Sequence, residues 1–252
     1  MFLSNKNRFY KMRICFNQPA FIPWGGFFSR LMHSDQMVLL DDTLLSTGFT
    51  YVNRNRIKGP KGEVWISVPV KKKGKGRQKI KDLELYHKDQ WAKDFLPTLW
   101  HFYVKSIYFQ PVYKKIKYSL GTRDRSFLHL ILNLLKVIKS EFSISTNFTL
   151  QSDLGIKGKG IDLLLSISKE LNASQVVLPY FSRKAIDWNQ FAREKIEVIF
   201  LRYASPQYPQ FWGKFIRRLS ALDLLLCMGK EGRKIIERGS YLYDTEKNRM
   251  SL

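Results

Sequence analysis

Three short clusters carry side chains whose types and spacing could do chemistry: Asn17-Gln18-Pro19, Asp41-Asp42 and Asn53-Arg54-Asn55-Arg56. Neutral amides such as Asn17 and Gln18 can orient a polar ligand. A carboxylate such as Asp41 or Asp42 can take a proton from an amine or hold Mg²⁺, or it can simply cap a turn. In an extended segment Asn53 and Asn55 face one way and Arg54 and Arg56 the other. Guanidinium groups paired at that period make a clamp for phosphate or carboxylate. Among the aromatics, Phe21, Phe27 and Phe28 read as core, whereas Trp24, between Pro23 and Gly25-Gly26, is placed to wall a site. The histidines His33, His87, His101 and His129 have no metal partner at ligand spacing and no Ser or Cys nucleophile beside them.

Other site chemistry is missing from the chain. There is no G-x-x-x-x-G-K-[ST], no G-x-G-x-x-G after the first strand, no H-E-x-x-H and no G-x-S-x-G. Gly74-Lys75-Gly76 and Gly158-Lys159-Gly160 read as basic turns, the second standing ahead of a helix N-terminus, where a phosphate could sit. Cys15 and Cys227 match no ligand or redox spacing, so buried free thiols in a reducing cytoplasm are expected.

Of 252 residues, 43 are Lys or Arg and 21 Asp or Glu, a net charge of +22 that attracts polyanions. With 44% apolar and 14% aromatic residues, the composition excludes a disordered basic tail. No run reaches the roughly 18 apolar residues of a membrane span. A cytoplasmic protein is expected, open to peripheral membrane contact through its charge.

The elements that must position these clusters follow from periodicity. Residues 12–16 read as a buried strand, 24–32 as a helix and 37–40 as a second strand, a βαβ unit with parallel strands. Asn17-Gln18 and Asp41-Asp42 then stand at strand carboxyl ends, where ligands bind in open α/β sheets. Residues 49–57 and 64–70 predict a hairpin around the Gly- and Pro-rich turn 58–62, and 71–79 a mobile basic loop. A short strand over 80–85 precedes a helical middle section, 91–103 interrupted by Pro97 and 127–138 capped by Asp124 or Ser126. A helix over 161–171, a strand over 175–178, a helix over 183–193 and a strand over 197–201 follow, and helices over 219–228 and on to Gly239 close the pattern. The expected fold is one α/β domain over 12–240, a mostly parallel sheet with helices on both faces plus a β-hairpin and the helical middle section. An extension at 1–11 precedes it and a polar tail at 241–252 follows.

The segments 17–28, Val38-Leu39-Leu40-Asp41-Asp42, Asn53-Arg54-Asn55-Arg56-Ile57 and 65–70 together resemble the WbqC-like protein family. The similarity runs through Trp91, Tyr103 and Phe109 to Tyr203, Tyr208 and Gln210, then to residues 219–225 with Gly229, and so spans about 13–239. The chain departs from the family pattern at Asn17, where a His often precedes Gln-Pro, and at Pro179-Tyr180, where Ser-Gly is usual. The resemblance implies an enzyme of bacterial surface-polysaccharide (O-antigen) biosynthesis. Its activity would be that of an aminoacyl or N-acyl transferase, or an amide-forming ligase, acting on a nucleotide-linked amino sugar. On that reading Arg54 and Arg56 hold phosphate, Asn17, Gln18, Asn53 and Asn55 orient sugar or donor, and Trp24, Tyr208 and Gln210 complete the binding set. Asp41 or Asp42 then deprotonates the amine or holds a metal, and ATP with Mg, or a charged carrier, supplies the activated acyl group. Residues 12–32 are also similar to the start of the nucleotidylyltransferase-like fold, but Gly25-Gly26 replace Gly-His, which points to a nucleotide pocket rather than adenylyl transfer. The rival reading is a basic nucleic-acid-binding protein without catalytic activity, favoured by the charge and the basic loop.

Overall fold

In the computed structural model, which describes residues 11–46, 48, 50–121, 124–244 and 250–251, the chain opens with β1 (Arg13–Asn17), α1 (Gly25–Met32) and β2 (Gln36–Leu39). A hairpin of β3 (Arg54–Gly59) and β4 (Gly62–Ser67) follows, then α2 (Lys88–Tyr103), α3 (Phe109–Leu120) and α4 (Phe127–Glu141). The chain re-enters the sheet with β5 (Asn147–Leu150) and continues as α5 (Gly160–Glu170), β6 (Gln175–Pro179), α6 (Asn189–Arg193) and β7 (Glu197–Tyr203). It ends with α7 (Ala221–Met228), α8 (Gly232–Arg238), β8 (Ser240–Asp244) and β9 (Met250–Ser251).

The sheet has the order β5-β2-β1-β6-β7-β8-β9, parallel from β5 through β7 and antiparallel beyond. Alternate residues of each parallel strand take opposite faces, as a period of two requires. Cys15, Met37, Leu39, Val177, Ile199 and Leu201 enter the large core shared with α1–α4, α7 and α8. Ile14, Phe16, Val38, Val176, Leu178 and Val198 enter the smaller core under α5 and α6. The expected α/β sheet covered by helices on both faces is therefore the observed one. The connection from β1 leads to β2 on one side, and only later does the chain place β6 on the other. β1 and β6 thus form the topological switch point, outside whose carboxyl ends a crevice opens.

Several local expectations give way to tertiary contacts. Residues 80–85 do not form a strand: Ile80–Asp82 is a 3₁₀ turn whose amides bond to Thr43 O and Asp41 O, beside β2's end. Pro97 does not interrupt α2, which runs on through it because Phe95, Leu99 and Tyr103 bury one face. Residues 183–193 split into a 3₁₀ turn, Tyr180–Lys184, and the short α6. α3 and β5 were not foreseen, although Phe109, Val112, Ile116 and Leu120 bury a helical stripe and Pro111 sits harmlessly in the first turn. After Gly239 the chain adds β8 to the sheet beside β7. Residues 71–79 carry no helix or strand, and Lys71 and Lys75 pair with Glu84. The extension before Lys11 and most of the tail after Asp244 lie outside the described residues.

Candidate functional site

A cleft of about 650 Å³ opens at the switch point. Asn17 at the end of β1, Pro179-Tyr180-Phe181 at the end of β6, and Arg202 and Tyr203 at the end of β7 form its floor and one side. Trp24, Phe27 and Arg30, from the start and the face of α1, form another, and Tyr51, Asn55 and Arg218 close it from the hairpin side. Among the described residues its lining contains three arginines and no carboxylate.

Arg30 is the buried member of that set. It follows Phe27 by one helical turn, so both side chains share the face of α1 that looks onto the cleft. Its Nη2 donates to Asn17 Oδ1 at 2.5 Å and its Nη1 to Gly26 O at 3.2 Å. Its buried Nε has no hydrogen-bond partner among the described residues. Burial pushes the guanidinium below its usual range, with a smaller opposing effect from Cys15. The Cys15 thiol is itself pushed up to about 11, chiefly by burial, and stays neutral near pH 7.

The wall carrying Trp24 is held by the hairpin. Asn55, buried in β3, donates its Nδ2 to Phe21 O at 3.3 Å and Ile22 O at 2.9 Å, and Ser220 Oγ donates to Ile22 O at 2.6 Å. These bonds clamp the bend at Ile22, whose φ of 35° is costly for a β-branched residue. Trp24 then caps α1 and meets Tyr203 edge-on with ring centroids 5.4 Å apart. A Cβ on Gly25 would lie 2.6 Å from Tyr203 Oη, and one on Gly26 would lie 2.5 Å from the Trp24 ring. Gly25-Gly26 thus let two aromatic walls close on the start of the helix. Burial raises the Tyr203 phenol, outweighing the opposite effect of Arg238, so Tyr203 is a neutral wall.

Of the residues singled out from the sequence, Asn17, Trp24 and Asn55 line the cleft. The others lie elsewhere. Gln18 donates to Thr43 Oγ1 at 3.0 Å and Asn53 to Val68 O at 3.0 Å. Arg54 and Arg56 flank the Trp65 ring at 5.4 and 5.5 Å on the outer face of the hairpin, and Arg56 also pairs with Glu63 at 2.6 Å. Arg56 reaches the cleft's rim only through its Nη2, which donates to Arg218 O at 3.2 Å. Asp41 is fully buried, its two carboxylate oxygens accepting from Ser152 N at 3.0 Å and Ser152 Oγ at 2.6 Å. Asp42 pairs with Lys79 at 2.8 Å and Lys81 at 2.6 Å. Burial raises the Asp42 carboxyl, and the two lysines more than offset it, leaving the group below the usual carboxylate range.

Tyr208 and Gln210 belong to a closed knot around Asp223, which also receives Tyr103. Burial raises the Asp223 carboxyl against the lowering effect of those phenols. Tyr103 also accepts from Lys58 N, and Lys58 Nζ donates to Gly213 O and Lys214 O, so the knot fastens hairpin, α2 and α7 together. Among the described residues no three His, Cys, Asp or Glu side chains gather as metal ligands.

Sequence reading gives no site role to Arg30, Arg202 or Arg218, and it meets Tyr180 and Tyr203 only in the family comparison. For Arg30 the signal is a single basic residue on the buried face of an otherwise apolar helix.

The doubly wound sheet, with a basic, aromatic cleft at its switch point, defines an α/β domain. The sequence pattern of the WbqC-like protein family matches residues 18–235, and the chain belongs to that family. It is also 29% identical over 221 residues to a Mycobacterium tuberculosis protein named "Uncharacterized protein Rv1507c", covering 87% of this chain and 95% of that one. No helix among the described residues is long and apolar enough to cross a membrane.

Proposed function

We propose that the chain is an enzyme of bacterial surface-polysaccharide (O-antigen) biosynthesis that forms an amide on a nucleotide-linked amino sugar. One observation carries this reading: a cleft of small-molecule size whose charged lining is three arginines with no acid, flanked by the rings of Trp24, Tyr51, Tyr180 and Phe181. A ligand with clustered negative charge and a planar base suits such a lining. Amide formation joins the sugar amine to an activated acyl carbonyl, expels the activating group and releases the amine's proton. Asp41 and Asp42 stand on the other side of β1 with their oxygens engaged, so we assign that proton to neither, and neither is free to hold Mg²⁺. Asn17 and Asn55 act by positioning Arg30 and the Trp24 wall.

The test is incubation of the chain with UDP-linked amino sugars, glycine and other amino acids, ATP and Mg²⁺, with mass spectrometry of the sugar product. The expected result is a mass gain equal to one amino acid less water. No gain across the panel, together with an RNA or DNA complex that survives physiological salt, would replace the enzyme with a nucleic-acid-binding protein.

A further inference from the structure

Among the described residues the other buried cations, Lys58 and Lys88, donate to backbone carbonyls, and Arg56, whose Nε is likewise buried without a hydrogen-bond partner, has its charge paired with Glu63. Lys58 donates its Nζ to two carbonyls and sits within reach of Asp223's charge. Arg30 differs. It faces a neutral amide, a backbone carbonyl and a neutral thiol, its Nε is unused, and no carboxylate pairs with it among the described residues. An arginine does not shed its proton to escape that position, and a buried charge without a counter-ion costs a fold stability. Arg30 lines the cleft. α1 begins at the same wall, with Trp24 as its cap and no side-chain oxygen on its first amides, so the helix end also favours negative charge there. Arg202 and Arg218 stand exposed in the same lining, Arg218 reaching over the Trp24 ring at 6.0 Å.

We propose that Arg30 is the anchor of an anion subsite in this cleft, completed by Arg202 and Arg218, and that the group it takes is a diphosphate. Three cations with no acid call for more charge than one carboxylate carries, and a guanidinium's fork matches two phosphate oxygens. Asn17 is the positioning residue that aims Arg30. This deepens the reading above and moves the phosphate from Arg54 and Arg56, which lie against Trp65, to the switch point.

Calorimetric titration of inorganic pyrophosphate, UDP and citrate into the full chain tests it, with the variants Arg30→Met, Arg30→Lys and Arg218→Ala. Pyrophosphate and UDP are expected to bind the wild type more tightly than citrate does. Arg30→Met should weaken both at least tenfold while melting no lower than the wild type without ligand, since it removes an uncompensated charge. Arg30→Lys keeps the charge, loses the fork and should bind several-fold more weakly even if the Met variant does not fold. Arg218→Ala should cost a few-fold. Unchanged pyrophosphate affinity in Arg30→Met or Arg30→Lys, equal affinity for citrate, or a lower melting point in both Arg30 variants overturns the subsite. Pyrophosphate binding that depends on Arg30 in a chain with no acyl transfer upholds the subsite and removes only the reaction. Acyl transfer untouched by Arg30→Met does the reverse.

Discussion

The two flanks of β1 carry opposite chemistry in opposite states. Toward β2 stand the carboxylates, Asp41 bonded twice to Ser152 and Asp42 held between Lys79 and Lys81. Toward β6 stand the arginines, with an unpartnered Nε on Arg30 and an open cleft beside it. A polar group whose hydrogen-bonding capacity is filled by its own fold holds the fold together. One left unfilled next to a cavity is available to a ligand. The closed flank ties the chain just after β2 to the chain just after β5.

The sharpest way to break this contrast is Asp41→Ala. It leaves the Ser152 amide and hydroxyl without their buried acceptor and should lower unfolding free energy by about 3 kcal/mol in urea titration. Stability kept and nucleotide binding lost would make Asp41 a site residue after all. Gly25→Ala acts on the open flank by overpacking: its methyl meets Tyr203 Oη, so a cost of about 1–3 kcal/mol is expected, read in the same titration. Ligand affinity should fall with it, because Tyr203 and Trp24 must separate. The smallest effect belongs to Asp42. Its carboxyl is depressed in the fold, so its stabilising contribution is complete above the unfolded pKa of about 3.9 and is lost as pH falls through the lower folded value. Asp42→Asn should flatten that acid limb while costing about 1 kcal/mol or less near pH 7, since Lys79 and Lys81 are about one-third exposed. Unchanged acid unfolding in the Asn variant would show that these pairs do not hold the closed flank.

Much of the fold was legible because its signals are local. The strand at 13–17, the helix behind Gly25-Gly26 and the hairpin around Gly62 follow from apolar period and turn chemistry within a dozen residues. Even Asn55's separation from Arg54 and Arg56 follows from alternation along one strand, which puts it under the 21–22 bend and leaves them on Trp65. The site was legible only in part, and Asp41-Asp42 show why. Placing them in one crevice with Asn17 assumed that the neighbouring strand ends β1 and β2 enclose the ligand site, yet both aspartates turn toward Ser152 and the basic turn at 79–81.

By itself, then, the sequence determined most of the element types, the parallel βαβ start, the family and the excess of positive charge, all of which are set by neighbours in the chain or by sums over it. Tertiary structure alone decided that β6, more than 150 residues after β1, lies on the side of β1 opposite β2. That choice brings Tyr180, Tyr203 and Arg218 to Asn17 and Arg30. Strand order depends on which faces bury the most apolar surface once all helices are in place, and no local period encodes it.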